Sequence, residues 1–548
     1  MSVFALGSLL VLVAGYFLYG RVVARWEGLD DRRATPAVTR EDGVDFVPTK
    51  RFYLLGQHFS AIAAAGPIAG PILACQAFGW APCLLWILLG GIFIGAVHDF
   101  SALVASVRHR GGSIAEVVRE HVGPRAAGAL LLFIWLALVY VIVAFADITA
   151  TTFVGTTTDI DPTAPFSPGG AVALASTLYL GLAVIMGLVQ ARWTIPLWLV
   201  TLVFVPATLG AVWLGTKIST LLLLDARTWA AWILAYCFIA ALLPAWVLLQ
   251  PRGYLGGFIL YLALGVGIIG IFFSGAPIAQ PAFKTLHAAG STGAMFPFLF
   301  VTIACGACSG FHGLVCSGTT SKQVARESDC RSVGYGAMLM ESFVAVIALG
   351  TVMVVADAAI AGRSPGRIYG DGLGAFAAAI VGKEHARFAA TFGAMAFSTF
   401  VFDTIDVATR LGRLIVQEFL GWTGHAAAIA ATAVTLLPPA LVLLLLRGAP
   451  GAAPPYMRFW LLFGTANQLL AGLTLLGVAA WLRREGRRSL FVVLPMLFVL
   501  TITAWSLVAQ VLGSTDLLVR ATAAALLGLA ALMAFETLRA NRTKVATA

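Results

Sequence analysis

Hydrophobic residues in this chain come in long blocks. Apolar runs fall at about 2–20, 53–78, 82–107, 126–154, 170–189, 194–215, 228–250, 254–274, 296–317, 333–357, 388–407, 425–446, 459–482, 490–512 and 521–538. Each approaches or exceeds the ~20 residues that a helix needs to cross a bilayer. Polar or Gly/Pro-rich breaks separate them, and no loop is large enough for a separate soluble domain. The pattern predicts an all-α polytopic membrane protein of about 15 transmembrane helices.

Composition supports that class. Of 548 residues, 60% are hydrophobic and 11% charged, against about 25% charged in a soluble domain. A soluble globular enzyme is excluded. The 57 Gly and 23 Pro could point to disorder, but 35 Phe and 14 Trp, with a mean hydropathy of +0.93, do not allow it. Seven Cys is an odd number for a disulfide framework, so buried free thiols are expected.

The net charge of +10 raises a nucleic-acid reading, which the distribution of the charges rejects. Lys and Arg lie in short clusters between apolar runs, as expected for markers of the inner membrane face. With the N-terminus outside and fifteen spans, the inner loops hold 25 of the 35 basic residues and the C-terminus is cytoplasmic. Arg252 and the pair Arg410 and Arg413 are counted there. The loop at 155–169, with Asp159, Asp161 and no basic residue, fits the outer face. The first run lacks a preceding basic segment and a cleavage site, and Arg21 and Arg25 follow it, so it reads as an uncleaved anchor. The mixed-charge stretch 21–52 reads as a solvated linker.

Two spans do not read as simple helices. The second contains Gly66-Pro67 and Gly70-Pro71; the prolines remove backbone donors and the glycines permit non-helical torsions, so a break is expected there. The ninth carries Gly306, Ser309, Gly310, His312, Gly313, Ser317, Gly318 and Thr319, and a second unwound segment is expected. Freed backbone groups are tolerated at membrane depth only inside protein or along a wet cavity. Interrupted helices of opposite direction in two halves point to an inverted-repeat, LeuT-like transporter core with the substrate at the breaks. On this reading 1–52 is an anchor and linker, 53–295 a first repeat, 296–482 a second repeat, and 483–548 peripheral helices.

Ionisable groups inside the spans are functional candidates by default: His58, His98, Asp99, Asp147, His312, Glu341, Asp403 and Asp406. Asp406 and Arg410 are four apart on one helical face and are expected to pair, which leaves Asp403 as the better proton or ion ligand. Asn467 and Gln468 have the groups to bind a substrate or a neighbouring helix. Cys305-x-x-Cys308, with Cys316, Cys330 and His312 nearby, raises a metal or redox reading, but its spacing suits no familiar zinc module. No metal or cofactor is expected, and without a phosphate-binding Gly-x-x-x-x-Gly-Lys-Ser/Thr loop ATP-driven transport has no support.

Several of these segments together resemble the carbon starvation protein A (CstA) family: Gly56-Gln57-His58-Phe59 through Gly70-Pro71, His98-Asp99-Phe100, Ala304-Cys305-Gly306 through Thr319-Thr320, Phe402-Asp403-Thr404 with Thr409-Arg410-Leu411-Gly412-Arg413, and Leu462 through Ala471 with Asn467-Gln468. The likeness runs from about 53 to about 480, while the extra cysteines and the C-terminal region depart from it. The resemblance implies a bacterial inner-membrane secondary transporter, related to the amino acid/polyamine/organocation superfamily, for peptides or pyruvate under nutrient limitation.

The expected function is uptake of a small carboxylate-bearing solute coupled to H+ or Na+, not enzymatic catalysis and not nucleic-acid binding. Substrate-binding candidates are Gly66, Pro67, Gly70, Pro71, Gly306, Ser309, Gly310, His312, Ser317, Thr319 and Gln468. Ion-coupling candidates are His58, Asp99, Glu341, Asp403 and Asp406. The alternatives are a channel and, third, a membrane-embedded redox or metal protein using Cys305 and Cys308.

Overall fold

A computed structural model describes residues 1–43, 45–63, 65–154, 166–193, 195–244, 246–288, 293–446 and 454–545. The expected outer loop with Asp159 and Asp161 lies outside the described residues. Helices carry the architecture, and only two isolated bridges of extended backbone occur among those residues.

In chain order the principal helices are α1 (Ser2–Glu27), α2 (Arg51–Ile62), α3 (Gly66–Phe78), α4 (Trp80–Arg108), α5 (Ile114–His121), α6 (Pro124–Val154), α7 (Pro168–Arg192), α8 (Leu197–Lys217), α9 (Ala226–Leu242) and α10 (Leu249–Phe273). There follow α11 (Met295–Thr302), α12 (Gly310–Gly318), α13 (Arg331–Met353), α14 (Pro365–Val381), α15 (Ala386–Leu420), α16 (His425–Leu445), α17 (Pro455–Arg484), α18 (Leu490–Gly513) and α19 (Leu517–Val545).

Among the described residues, twelve helices are long and apolar enough to span a membrane, or up to thirteen if the bent pair α2 and α3 is one span. The count leaves two of the fifteen expected spans, the seventh and the ninth, without a helix of spanning length. All fifteen apolar runs form helix, but the seventh yields only the 17-residue α9. The ninth yields two pieces of eight and nine residues, too short to span singly at 1.5 Å per residue. Conversely, α14 forms between the apolar runs that end at 357 and begin at 388, where the pattern predicts a connection. Arg367 and Asp371 dilute its hydropathy, but its glycines make it a packing helix.

The chain forms two compact units, each assembled from three separated stretches. The first comprises residues Met1–Ala5, Leu138–Ala282 and Ile347–Trp460. Within it α14 lies against α15. A Cβ on Gly370 would stand 3.0 Å from the Ala394 side chain, and one on Gly374 3.0 Å from that of Ala390. Small residues at this spacing let two backbones approach closely where no hydrophobic effect drives helices together. The C-terminal carbonyls of α9 are satisfied from α15: Arg410 donates to Ala240 O and Leu243 O at 3.0 and 2.9 Å, and Arg413 to Ala241 O at 2.6 Å. Arg410 is thus spent on a helix end, and the expected Asp406–Arg410 pair gives way to another partner.

The second unit comprises Leu6–Ala137, Phe283–Val346 and Leu461–Ala548 and holds both breaks. α2 and α3 meet at 46°. α2 ends at Ile62 and α3 begins at Gly66, so the helix breaks one turn earlier than expected, and Gly66-Pro67 and Gly70-Pro71 form the first turns of α3. Pro67 is tolerated because the first helical turn has no intrahelical acceptor for its missing N–H. In the ninth run the non-helical stretch is 303–309; Gly306 lies in it, while Gly310 to Gly318 are helical.

Candidate functional site

The two breaks of the second unit cross one another. A Cβ on Gly66 would collide with Cys305 Sγ, and one on Gly70 would lie 2.7 Å from Thr302 O and 3.3 Å from Ile303 Cα. The start of α3 therefore lies directly on the unwound backbone, closer than any side chain allows.

Freed polar groups at the crossing have partners. Trp86 Nε1 donates to Phe300 O and Ile303 O at 3.2 and 3.1 Å, and Gln468 Nε2 donates to Phe300 O at 2.9 Å. Gln468 thus closes the C-terminal end of α11. Asn467 serves the other side: its Oδ1 accepts from Phe311 N–H at 2.9 Å at the start of α12, and its Nδ2 reaches Ser309 Oγ at 3.0 Å and Cys305 Sγ at 3.3 Å. An amide here does what an N-cap residue does elsewhere, since Ser309 itself makes no side-chain cap.

One turn into α12 the buried ionisable groups converge. His312 Nδ1 lies 2.8 Å from Asp99 Oδ2 on α4, and His312 Nε2 lies 3.0 Å from Glu341 Oε2 on α13. The other Asp99 oxygen meets His98 Nδ1 at 2.7 Å. His98, Asp99 and Glu341 are fully buried, and His312 is 1% exposed. Gly313 makes room for the imidazole of His98, whose Nε2 would stand 3.2 Å from a Cβ there. Beside them His58 Nδ1 meets Thr320 Oγ1 at 2.8 Å and His58 Nε2 faces Cys316 Sγ at 3.8 Å.

The geometry dictates a proton count. Both nitrogens of His312 face carboxylate oxygens, and a neutral imidazole has one N–H. Its other nitrogen would then set a lone pair against an oxygen lone pair. The contacts are attractive on both sides only if His312 is doubly protonated or one carboxyl holds a proton. The cluster therefore requires at least one proton beyond a neutral imidazole between two carboxylates. His98 Nε2 and both Glu341 carboxylate oxygens make no hydrogen bond among the described residues, an unusual state for buried polar atoms, so the 3.0 Å approach of His312 Nε2 to Glu341 Oε2 is an ion-pair contact.

A second charged set lies in the first unit. Arg252, on α10 and fully buried, places Nη2 2.6 Å from Asp403 Oδ1 and Nη1 2.8 Å from Asp406 Oδ2 on α15. Tyr236 OH donates to Asp406 Oδ2 at 2.7 Å, and Tyr179 OH to Arg252 O at 2.7 Å. The placement of Arg252 in an inner loop is corrected: Gln250-Pro251 before it reads as a loop, but the helix already begins at Leu249. Asp147 Oδ2, in the same unit, accepts from Tyr456 N–H at 2.8 Å.

Of the sequence candidates, Gly66, Pro67, Gly70, Pro71, Gly306, Ser309, Gly310 and Gln468 gather at the crossing, and His58, Asp99, His312 and Glu341 gather at the ionisable cluster. Ser317 closes the start of α5, its Oγ accepting from Ile114 N–H at 3.1 Å. Thr319 is exposed at the end of α12. All seven cysteines are free, and Cys305, Cys308, Cys316 and Cys330 belong to no metal-sized group among the described residues. Thr320 and Arg252 were missed as site residues. The hydroxyl pair Thr319-Thr320 hid which of the two turns inward.

The family model described as "Carbon starvation protein CstA" matches residues 1–371 and 354–506. The chain belongs to the CstA family. Among relatives of this CstA chain, the "Peptide transporter CstA" of Helicobacter pylori is 32% identical over 584 residues, covering 92% of this chain and 81% of the relative. The "Pyruvate/proton symporter BtsT" of Escherichia coli is 38% identical over 362 residues, covering 64% of this chain and 48% of that protein. A solved manganese transporter from Eremococcus coleocola superposes with a TM-score of 0.48 at 13% identity, covering 91% of this chain and 99% of that one. The chain is a multi-pass membrane transporter of the CstA family, not an enzyme.

Proposed function

We propose that this CstA-family chain takes up pyruvate or short peptides in symport with protons across the bacterial inner membrane when carbon is scarce. The observation that carries the reading is His312 held between Asp99 and Glu341, a buried arrangement that must hold a proton and has an unpartnered carboxylate oxygen to accept another. Na+ is disfavoured because a hard cation needs about six oxygen ligands, whereas imidazole nitrogens already occupy both oxygens of Asp99. Asp403 and Asp406 are the counter-ions of a permanent cation, so coupling is assigned to His58, Asp99, His312 and Glu341.

The substrate carboxylate is assigned to the crossing of α3 with 303–309, where two helix starts supply partial positive charge and Cys305 and Ser309 supply polar side chains. The two broken helices are read as the discontinuous elements of a LeuT-like inverted repeat, in which one bundle rocks about a fixed site. The N-terminus is placed outside and the C-terminus in the cytoplasm, following the basic-residue bias.

Uptake of labelled pyruvate and labelled dipeptides into proteoliposomes, with an inward proton gradient, an inward Na+ gradient or neither, tests the proposal. The expected result is accumulation of one solute under the proton gradient alone. Uptake of both at the protein-free rate overturns it, and so does flux linear in concentration without accumulation, the behaviour of a channel.

A further inference from the structure

A second histidine cluster in the same unit lies outside the site proposed for transport. His109 ends α4, and Glu120 and His121 end α5, joined by a tight turn in which Arg110 and Gly111 take φ of 60° and 75°. Ser113 and Glu116 form a capping box at the start of α5, fixing its direction, and the His109 ring packs edge-on against Trp481 with centroids 5.4 Å apart. The two imidazoles approach at 2.6 Å between their Nε2 atoms, and one ligand atom each from His109, Glu120 and His121 lie within 4.8 Å of one another.

His109 Nδ1 lies 2.5 Å from Ala105 O, and a carbonyl only accepts, so the ring proton is on Nδ1 and Nε2 presents a lone pair. The facing Nε2 of His121 must then be bridged by something electrophilic, a proton or a metal ion. A carbonyl-anchored Nδ1–H is the usual support behind a metal-binding histidine. A carboxylate beside the pair completes a donor set suited to a borderline divalent ion.

We propose that His109, Glu120 and His121 form a binding site for a divalent transition-metal ion of the Zn2+ type, which clips the end of α5 to the end of α4. Tetrahedral coordination with Zn–N bonds of about 2.0–2.1 Å needs the nitrogens about 3.3 Å apart. A small opening of the two rings, one of which ends an eight-residue helix, provides that separation. The fourth position is left to water.

The test uses the full-length chain in detergent, purified through a histidine-free tag and stripped with chelator, then titrated with ZnCl2 and separately with CoCl2. One Zn2+ per chain is expected, with affinity falling at least about tenfold in His121→Gln and in Glu120→Gln. The unaltered protein should give the visible absorption bands of tetrahedral Co2+, a readout independent of any variant's folding. No stoichiometric Zn2+ binding, no such cobalt bands, or the same Zn2+ affinity in His121→Gln overturns the proposal and leaves a hydrogen-bonded imidazole pair.

Discussion

Asp99 and His312 stand 213 positions apart in the chain and 2.8 Å apart in the structure. Their contact joins a continuous helix, α4, to α12, which begins only after the break, so the protonation state of one pair bears on the packing of a broken span. A buried carboxylate–imidazole pair that loses one charge leaves the other uncompensated in a low-dielectric setting. On the proposed symport reading, this pair is what links protonation to helix position.

Asp99→Asn keeps the shape of the side chain and removes its charge. Proton-driven uptake in proteoliposomes should fall by about tenfold or more, equivalent to about 1.4 kcal/mol or more, while detergent-solubilised protein elutes as a monodisperse species like the parent. Unchanged uptake would remove Asp99 from the coupling site.

Arg252 is the counter-charge of Asp403 and Asp406. Arg252→Met leaves carboxylates without a cation and should destabilise by about 3–5 kcal/mol, whereas adding Asp403→Leu and Asp406→Leu should restore most of the loss. Thermal unfolding of the single and triple variants checks this. A triple variant no more stable than the single would mean the set is not a charge-balanced unit.

Gly70→Ala places a methyl 2.7 Å from Thr302 O, whereas nothing lies within 4 Å of a Cβ on Gly181. The first should cost about 1–3 kcal/mol through overpacking; the second should be neutral or stabilise by up to about 1 kcal/mol. Thermal unfolding midpoints of the two variants, measured side by side, provide the comparison.

Asp225 caps α9, accepting from Thr228 Oγ1 at 2.7 Å and from the N–H groups of Arg227 and Thr228 at 2.8 and 3.1 Å. The Thr228 hydroxyl, and then these N–H groups, hold its carboxyl below the ordinary carboxylate range. A depressed folded-state pKa means stability that is full above the unfolded value, about 3.9, and lost as pH falls through the folded one. Asp225→Ala should therefore cost about 1 kcal/mol at pH 7, and the gap from the parent should close in acid below that range. A gap that widens on acidification would contradict the sign.

Much of this was legible in the sequence because the bilayer imposes its own length scale. Every apolar run contains helix, and both interruptions could be anticipated from Gly-Pro pairs and a Gly-rich stretch. Positions within the breaks were less legible: Pro67 and Pro71 mark the opening of a helix as readily as its rupture, and only the packing of Gly66 and Gly70 on 302–305 decides between them. His58, Asp99, His312 and Glu341 stood out as ionisable residues in apolar runs, but their grouping depends on tertiary structure. Arg252 was hidden because one basic residue beside Pro251 has the signature of a loop, and α14 because charges at one end diluted an otherwise small-residue helix.

The most direct measurement compares Glu341→Gln with the parent in the same proteoliposomes under two regimes: accumulation driven by an inward proton gradient, and counterflow exchange of labelled for unlabelled substrate without any gradient. If Glu341 shares the coupling proton with His312, the variant retains exchange and loses gradient-driven accumulation. A variant that still accumulates substrate against its gradient at the parent level would contradict the assignment of coupling to this cluster.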